Sequence, residues 1–320
     1  MIAPTLPLPP SAQETDSLAM AYANGFAGTL SSAPLALAVR DALAAPGGFS
    51  RGRLVLALMR AWGASRTSSY SAAVALEYWH TASLLLDDLP AMDDAERRRG
   101  APCLHRVHGE GMTLLAALAL INRAYALAHS ATDALDAAGR ADARELLEEC
   151  LGAAGVLSGQ AEDLDFPTRP RSAADVLRVA EGKTGSLFRI ALEWPAALCG
   201  IAMPSSRSAL RQLSMAWGRA YQIADDFKDC QVGGVDSGKT PGRDQAHGRP
   251  SLVAALGPKA AWRSWGAELR RAEAALDAGC FSSPARAVLA AVQKRFLGEW
   301  SAAGPAGKFA PDDPEPVPCL

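Results

Sequence analysis

An all-α fold is predicted for this chain by three observations: Ala and Leu dominate its composition, aromatic residues make up only 6%, and Gly and Pro fall mostly between long helix-forming runs. With 320 residues, 49% of them hydrophobic, it can bury a substantial core. Segments of helical length and periodicity run over 16–30, 33–45, 52–63, 70–88, 110–130, 138–163, 173–198, 206–230, 250–278 and 283–301, about ten helices in all. Each break has a local cause: APGG at 45–48, Pro90, FPTRP at 166–170, Pro204, and GGVDSGKTPG at 233–242. No repeat of fixed period is present, so a single large helical bundle over 16–302 is expected rather than a solenoid. Residues 1–15 and 303–320 are rich in Pro, Gly and polar groups and are expected to be poorly ordered tails.

The net charge of −2 gives no general attraction to nucleic acid or anionic membranes, so any anion site must come from local clustering. The six cysteines lack CxxC or metal-ligand spacing, which points to reduced buried thiols in a cytoplasmic protein. The N-terminal MIAPTLPLPPSAQ has neither a basic nor a continuous apolar region of the kind a signal peptide carries. The run MTLLAALALI at 112–121 is shorter than the ~18 apolar residues that suggest a membrane helix, so no span is expected. Cys319-Leu320 misses the prenylation pattern, which places Cys fourth from the end.

Charge collects at two places. In LLLDDLPAMDDAERRRG, residues 84–100, the helix should end near Asp88, because Pro90 disfavours helical backbone at the residue before it. A loop can then fold Asp93 back toward Asp87. In YQIADDFKD, residues 221–229, Asp225 and Asp229 are four apart on one helix face, with Gln222 a turn earlier and Asp226 adjacent. Like charges so placed repel unless a multivalent cation lies between them; Mg2+ fits, because it prefers hard oxygen ligands and commonly bridges carboxylates to substrate phosphates. An acidic helix end is ordinarily solvated surface. Two such clusters, each preceded by apolar helix and each followed by basic residues, are harder to explain that way.

The basic residues are Arg98 and Arg99 behind the first cluster, Lys183 with Thr184 in EGKTGSLF, and Lys239 past the second cluster, with Arg51, Arg53 and His80 as further candidates. Arginine binds phosphate through paired hydrogen bonds, lysine as a mobile point charge. The two GKT triplets at 182–184 and 238–240 lack the preceding glycine and strand that a phosphate-binding P-loop requires, which excludes that class of nucleotide hydrolase.

In their order, DDLPAMDDAERRRG, GQAEDLD at 159–165, GKTGSLF at 182–188 and YQIADDFKD resemble the trans-isoprenyl diphosphate synthase, or polyprenyl synthetase, family over nearly the whole folded chain. HTASLLLDDLPAMDDA, LLAALALINRAYALA and GRPSLVAALGPKA bring the similarity closest to bacterial geranylgeranyl diphosphate synthases of carotenoid pathways. The resemblance implies mostly antiparallel helices around a deep cavity, a homodimer, and two Asp-rich motifs facing one another at its mouth. Asp87 and Asp93, with Asp88 assisting, and Asp225, supported by Asp226 and Asp229, would hold two or three Mg2+ ions, replaceable by Mn2+. Arg98, Lys183, Thr184, Gln222, Lys239 and Arg249 would hold the allylic diphosphate. Isopentenyl diphosphate would lie on Ser50, Arg51, Arg53, His80 and Arg99. Ionisation of the allylic carbon–oxygen bond, attack by the isopentenyl double bond and loss of a proton would complete elongation, with no side-chain nucleophile.

Ser83 and Ala82 are the small residues four and five positions before Asp87, where an aromatic floor would restrict a shorter-product enzyme. Their size implies a twenty-carbon product. Three departures from the family pattern stand out: Ser50 replaces a lysine in GGFSRGRL, Arg249 replaces a common lysine, and Ala117-Leu118 replaces Gly-Asp. The alternatives are a farnesyl diphosphate synthase or other product length, a class I terpene cyclase or head-to-head synthase, and a noncatalytic partner subunit.

Overall fold

The computed structural model describes residues 12–166, 172–230 and 251–303. It is all-α but for one minimal hairpin. In order come α1 (Ala12–Asn24), α2 (Ala33–Ala44), α3 (Ser50–Ala61) and α4 (Arg66–Asp87), then strands β1 (Arg97–Arg98) and β2 (Ala101–Pro102). These are followed by α5 (Leu104–His108), α6 (Glu110–Ala131), α7 (Ala137–Leu151), α8 (Val156–Asp165) and α9 (Ala173–Ala180). A π-helical turn, Glu181–Gly185, joins α9 to α10 (Ser186–Leu198). The remainder is α11 (Pro204–Cys230), α12 (Leu252–Leu256), α13 (Pro258–Ala278) and α14 (Ser283–Ala303).

The Pro and Gly punctuation places most boundaries, but α1 runs over Ala12–Asn24 rather than 16–30, the short α5 was not expected, and three expected helices are interrupted. The helix expected over 138–163 is split by Gly152 and Gly155 into α7 and α8. The one expected over 173–198 is continuous only through the π turn. The one expected from 250 is cut at Gly257, whose φ of +78° ends α12 before Pro258 starts α13. The antiparallel pair of β1 and β2 was not expected; it turns through Arg99 and Gly100, both at positive φ, and pairs Arg97 with Pro102.

Helix α4 is the central pillar, packed most extensively on α6 and also on α3, while α11 packs on α13 and α10. The core between them is closed by fully buried Trp194, Trp217 and Trp265. Burying a tryptophan removes much apolar area from water but leaves one N–H to satisfy. Trp217 donates to the Gln293 side-chain oxygen at 2.7 Å, and Gln293 donates to the Leu269 carbonyl at 2.8 Å, which links α11, α13 and α14. Among the described residues α6 is long and apolar enough to cross a membrane, with an 18-residue window of mean hydropathy 1.4, longer than the 112–121 run alone suggested. In this structure one face of it, with Ala116, Ala117, Leu120 and Ala124, is buried in the bundle.

Candidate active site

The first acidic cluster sits where α4 stops. Asp87 is its last residue and Asp88 its cap. The loop after Pro90 returns as the proline implied: the Asp93 amide donates to the Asp87 carbonyl at 2.9 Å, and the Ala95 amide to the Asp88 carbonyl at 3.1 Å. Asp88 is only 3% exposed and accepts from Arg98 at 2.6–2.8 Å through both of its oxygens. The hairpin carries Arg98 back to it, and burial, which opposes the guanidinium charge, is overcome by Asp88 and Asp87. Asp87 has no side-chain hydrogen bond among the described residues. Burial lifts it above the usual carboxylate range, Lys183 pulls it back, and Asp93 raises it further.

Between the two clusters stands the π turn. Its glycines allow close approach on both flanks. A Cβ on Gly159 of α8 would lie 2.2 Å from the Lys183 amide nitrogen, so α8 and the turn touch backbone to backbone. A Cβ on Gly218 of α11 would lie 3.2 Å from the Gly185 Cα. One helical turn beyond each glycine is the residue that meets the turn's side chains. Lys183 donates to Asp163 at 2.9 Å on the α8 side, and Thr184 donates to Gln222 at 3.0 Å on the α11 side. Burial disfavours the Lys183 charge, but Asp87 and Asp163 outweigh it and hold the ammonium protonated. Single-turn π segments inside α-helices are frequent at functional sites. The GKT triplet therefore lies in a π turn with no strand before it, consistent with its exclusion as a P-loop.

The second cluster lies on the straight helix α11. Gln222 donates to Asp226 at 2.9 Å, and Asp226 accepts the Leu252 amide at 2.6 Å, the start of α12. Asp226 is 5% exposed, and burial pushes it up to about 6. Asp225 is half-buried beside it, with no side-chain hydrogen bond or ion pair among the described residues. Asp229 is in α11, but its side chain, like Lys239 and Arg249, lies outside the described residues.

The residues expected to hold isopentenyl diphosphate gather at the start of α3 and along α4. Arg51 Nη1 lies 3.2 Å from His80 Nε2. A guanidinium only donates, so Nε2 is the acceptor and the ring is the neutral Nδ1–H tautomer. Burial, with Arg51 and Arg99 nearby, holds His80 well below its ordinary value, and Nδ1 has no hydrogen-bond partner among the described residues. Arg99 donates to the Ala45 carbonyl at 2.8 Å, which brings the hairpin tip to this edge. Ser50 is the first residue of α3, and Arg53 is half-buried in the same turn. Ala82 is wholly buried and Ser83 donates to the His80 carbonyl at 2.9 Å. One turn below Ser83, Trp79 stands edge-on to Tyr125 at 5.2 Å and Trp194 at 5.8 Å.

Several residues of the site were not singled out from sequence. Asp163 lay inside the GQAEDLD landmark, and its distance of four from Gly159 was the available signal. Glu181 opens the π turn and accepts from Arg219 of α11 at 2.5 Å and 2.8 Å. Among the described residues no three His, Cys, Asp or Glu side chains converge on one point. The donor set still suits a hard cation that takes one or two carboxylates: Asp87 is half-buried, crowded by Asp93, and without a side-chain hydrogen bond among the described residues.

Residues 33–270 match the polyprenyl synthetase family model, and the chain belongs to that family of trans-prenyltransferases. It is 36% identical over 245 residues to the geranylgeranyl diphosphate synthase of Pantoea ananas, covering 76% of this chain and 79% of that one. It is 32% identical over 231 residues to the farnesyl diphosphate synthase of Geobacillus stearothermophilus, covering 71% and 77%. The apo crystal structure of an FPP/GFPP synthase from Zymomonas mobilis superposes with a TM-score of 0.75 at 26% identity, over 88% of this chain and 95% of that one. A Helicobacter pylori geranyltransferase, crystallised with magnesium and isoprenyl diphosphate, shares the fold at 23% identity, with a TM-score of 0.76 over 93% and 99% of the two chains.

Proposed function

We propose that the protein is a geranylgeranyl diphosphate synthase, which adds isopentenyl diphosphate to dimethylallyl, geranyl or farnesyl diphosphate. The observation that carries this reading is the π turn, which sets Lys183 beside the first acidic cluster and Thr184 beside the second. Asp87, Asp93 and Asp225 would hold Mg2+, with Asp229 completing the α11 face. When bound, the ions offset the negative charge that grows on the departing diphosphate as the allylic bond ionises. Lys183 and Arg98 present fixed positive charge to the same group, already paid for by Asp163 and Asp88, while Lys239 and Arg249 add theirs. Arg51, Arg53, Arg99 and His80 would receive isopentenyl diphosphate. The double bond attacks the allylic cation, and the resulting cation gives up a proton to the released diphosphate. The apolar wall of α4 keeps water from the cation.

Product length rests on Ala82, Ser83 and the aromatic group beneath them. Trp79 is eight residues before Asp87, about 12 Å along the helix, and with Trp194 it would make a deeper floor than a residue at 82. Replacing Ala82 with Phe should shorten the main product from twenty to fifteen carbons; an unchanged product would overturn the floor assignment. Incubating the purified chain with Mg2+, labelled isopentenyl diphosphate and each allylic starter, then separating the dephosphorylated products, tests the whole reading. A fifteen-carbon end product, a cyclic hydrocarbon, a head-to-head product or no elongation would each contradict it.

The outward face of α6 supports a homodimer. Leu114, Leu115, Leu118 and Tyr125 are 43–60% exposed along it. Exposed apolar surface that is continuous along one helix marks an interaction face. Leu118→Glu should convert the dimer to monomer in analytical ultracentrifugation; a monomeric wild-type chain would refute this. Among the described residues Cys103, Cys150, Cys199 and Cys280 are free thiols, and together with the carotenoid-type sequence similarity they support a cytoplasmic enzyme of isoprenoid supply.

A further inference from the structure

Glu77 is a carboxylate only 5% exposed in the middle of α4, and the scheme above makes no use of it. Its Oε1 accepts the Gly52 amide hydrogen at 2.7 Å. Helix α3 begins there without a cap of its own: Phe49 occupies the N-cap with φ 49° and makes no side-chain cap hydrogen bond. The first amides of a helix have no partners within it. Glu77 supplies from α4 the acceptor that Phe49 lacks. The approach is tight, since a Cβ on Gly52 would lie 2.9 Å from Glu77 Cγ and 3.1 Å from the Ala73 carbonyl oxygen.

The same carboxylate lies beside the cationic edge. Burial prevails and raises Glu77, while the Gly52 amide, Arg51 and Arg99 partly offset it by favouring the carboxylate. Those arginines come from different elements, α3 and the hairpin, and each would repel the other without a nearby anion. His80 cannot supply it, because its ring is neutral or cationic. Arg51 reaches His80 from one side, and Arg99 is tethered to Ala45 from the other.

We infer that Glu77 is a positioning residue for the isopentenyl diphosphate site: it caps α3 from a neighbouring helix and balances Arg51 and Arg99 without touching the substrate. This rests on the functional reading above, which the wild-type chain tests first. If wild type elongates, Glu77→Gln keeps an amide acceptor while removing the charge. Gly52→Ala keeps the charge while forcing the carboxylate away. Each is expected to raise KM for isopentenyl diphosphate about tenfold, with kcat and the allylic KM within about twofold of wild type. Calorimetric binding of isopentenyl diphosphate should weaken by the same factor. A folded Glu77→Gln with unchanged isopentenyl affinity would overturn the inference, as would equal losses for both substrates. Should Glu77→Gln fail to fold, the Gly52→Ala result decides by the same criteria.

Discussion

The two acidic clusters contain the same Asp-Asp pair on different scaffolds. In the first, α4 breaks and the loop returns; in the second, α11 runs straight through. Yet in each pair the second aspartate is buried and engaged. Asp88 is held by the Arg98 guanidinium, and Asp226 by the Gln222 amide and the Leu252 backbone. The first member of each pair, Asp87 or Asp225, has no side-chain hydrogen bond among the described residues. The contrast separates two tasks. One carboxylate joins elements together, and the other is left open for the cation proposed above. It also shows two ways to bury an anion, with a countercharge or with neutral donors only, and the second leaves Asp226 pushed up to about 6.

The sharpest way to break this comparison is to remove the carboxylates assigned to the cation. Asp87→Asn and Asp225→Asn should each lower kcat by about 10²–10³-fold, with little change in melting temperature, as steady-state kinetics and calorimetry would show. A fall in stability with activity retained would reverse the assignment. Asp88→Asn should act mainly on stability, by about 2–4 kcal/mol in denaturant unfolding, because it leaves the half-buried Arg98 without its buried partner. Asp226→Asn should cost less, about 1–2 kcal/mol, since a neutral amide can still accept one of its two hydrogen bonds.

The same substitution carries a pH signature. Asp226 is raised by burial, so between its folded value of about 6 and its ordinary 3.8 the folded chain binds the extra proton. Stability contributed by this group therefore grows as pH falls through about 6 and is lost as pH rises through it. In metal-free buffer Asp226→Asn should flatten that part of the melting profile; an unaltered profile would assign the pH dependence to other groups.

Much of this arrangement could be read from local pattern. Pro90 placed the end of α4 and the return of Asp93, because a proline acts on the residue beside it. The spacing of Gln222, Asp225 and Asp226 placed them together on α11. What eluded the sequence depends on distant partners. The Leu252 amide that Asp226 binds is 26 residues away, and Gly159 meets Lys183 only once α8 folds against the π turn. The π turn itself reads as ordinary helix, since its extra residue leaves the apolar pattern almost unchanged. The hairpin was hidden because two-residue strands carry no alternating pattern.

Magnesium binding decides between the two tasks most directly. Isothermal titration of Mg2+ into the chain saturated with a non-ionising allylic diphosphate analogue would compare wild type with Asp87→Asn, Asp88→Asn, Asp225→Asn and Asp226→Asn, at a temperature where all are folded. The division predicts that Asp87→Asn and Asp225→Asn lose Mg2+ affinity while Asp88→Asn and Asp226→Asn keep it. Equal losses across each pair, or loss confined to Asp88→Asn and Asp226→Asn, would contradict it.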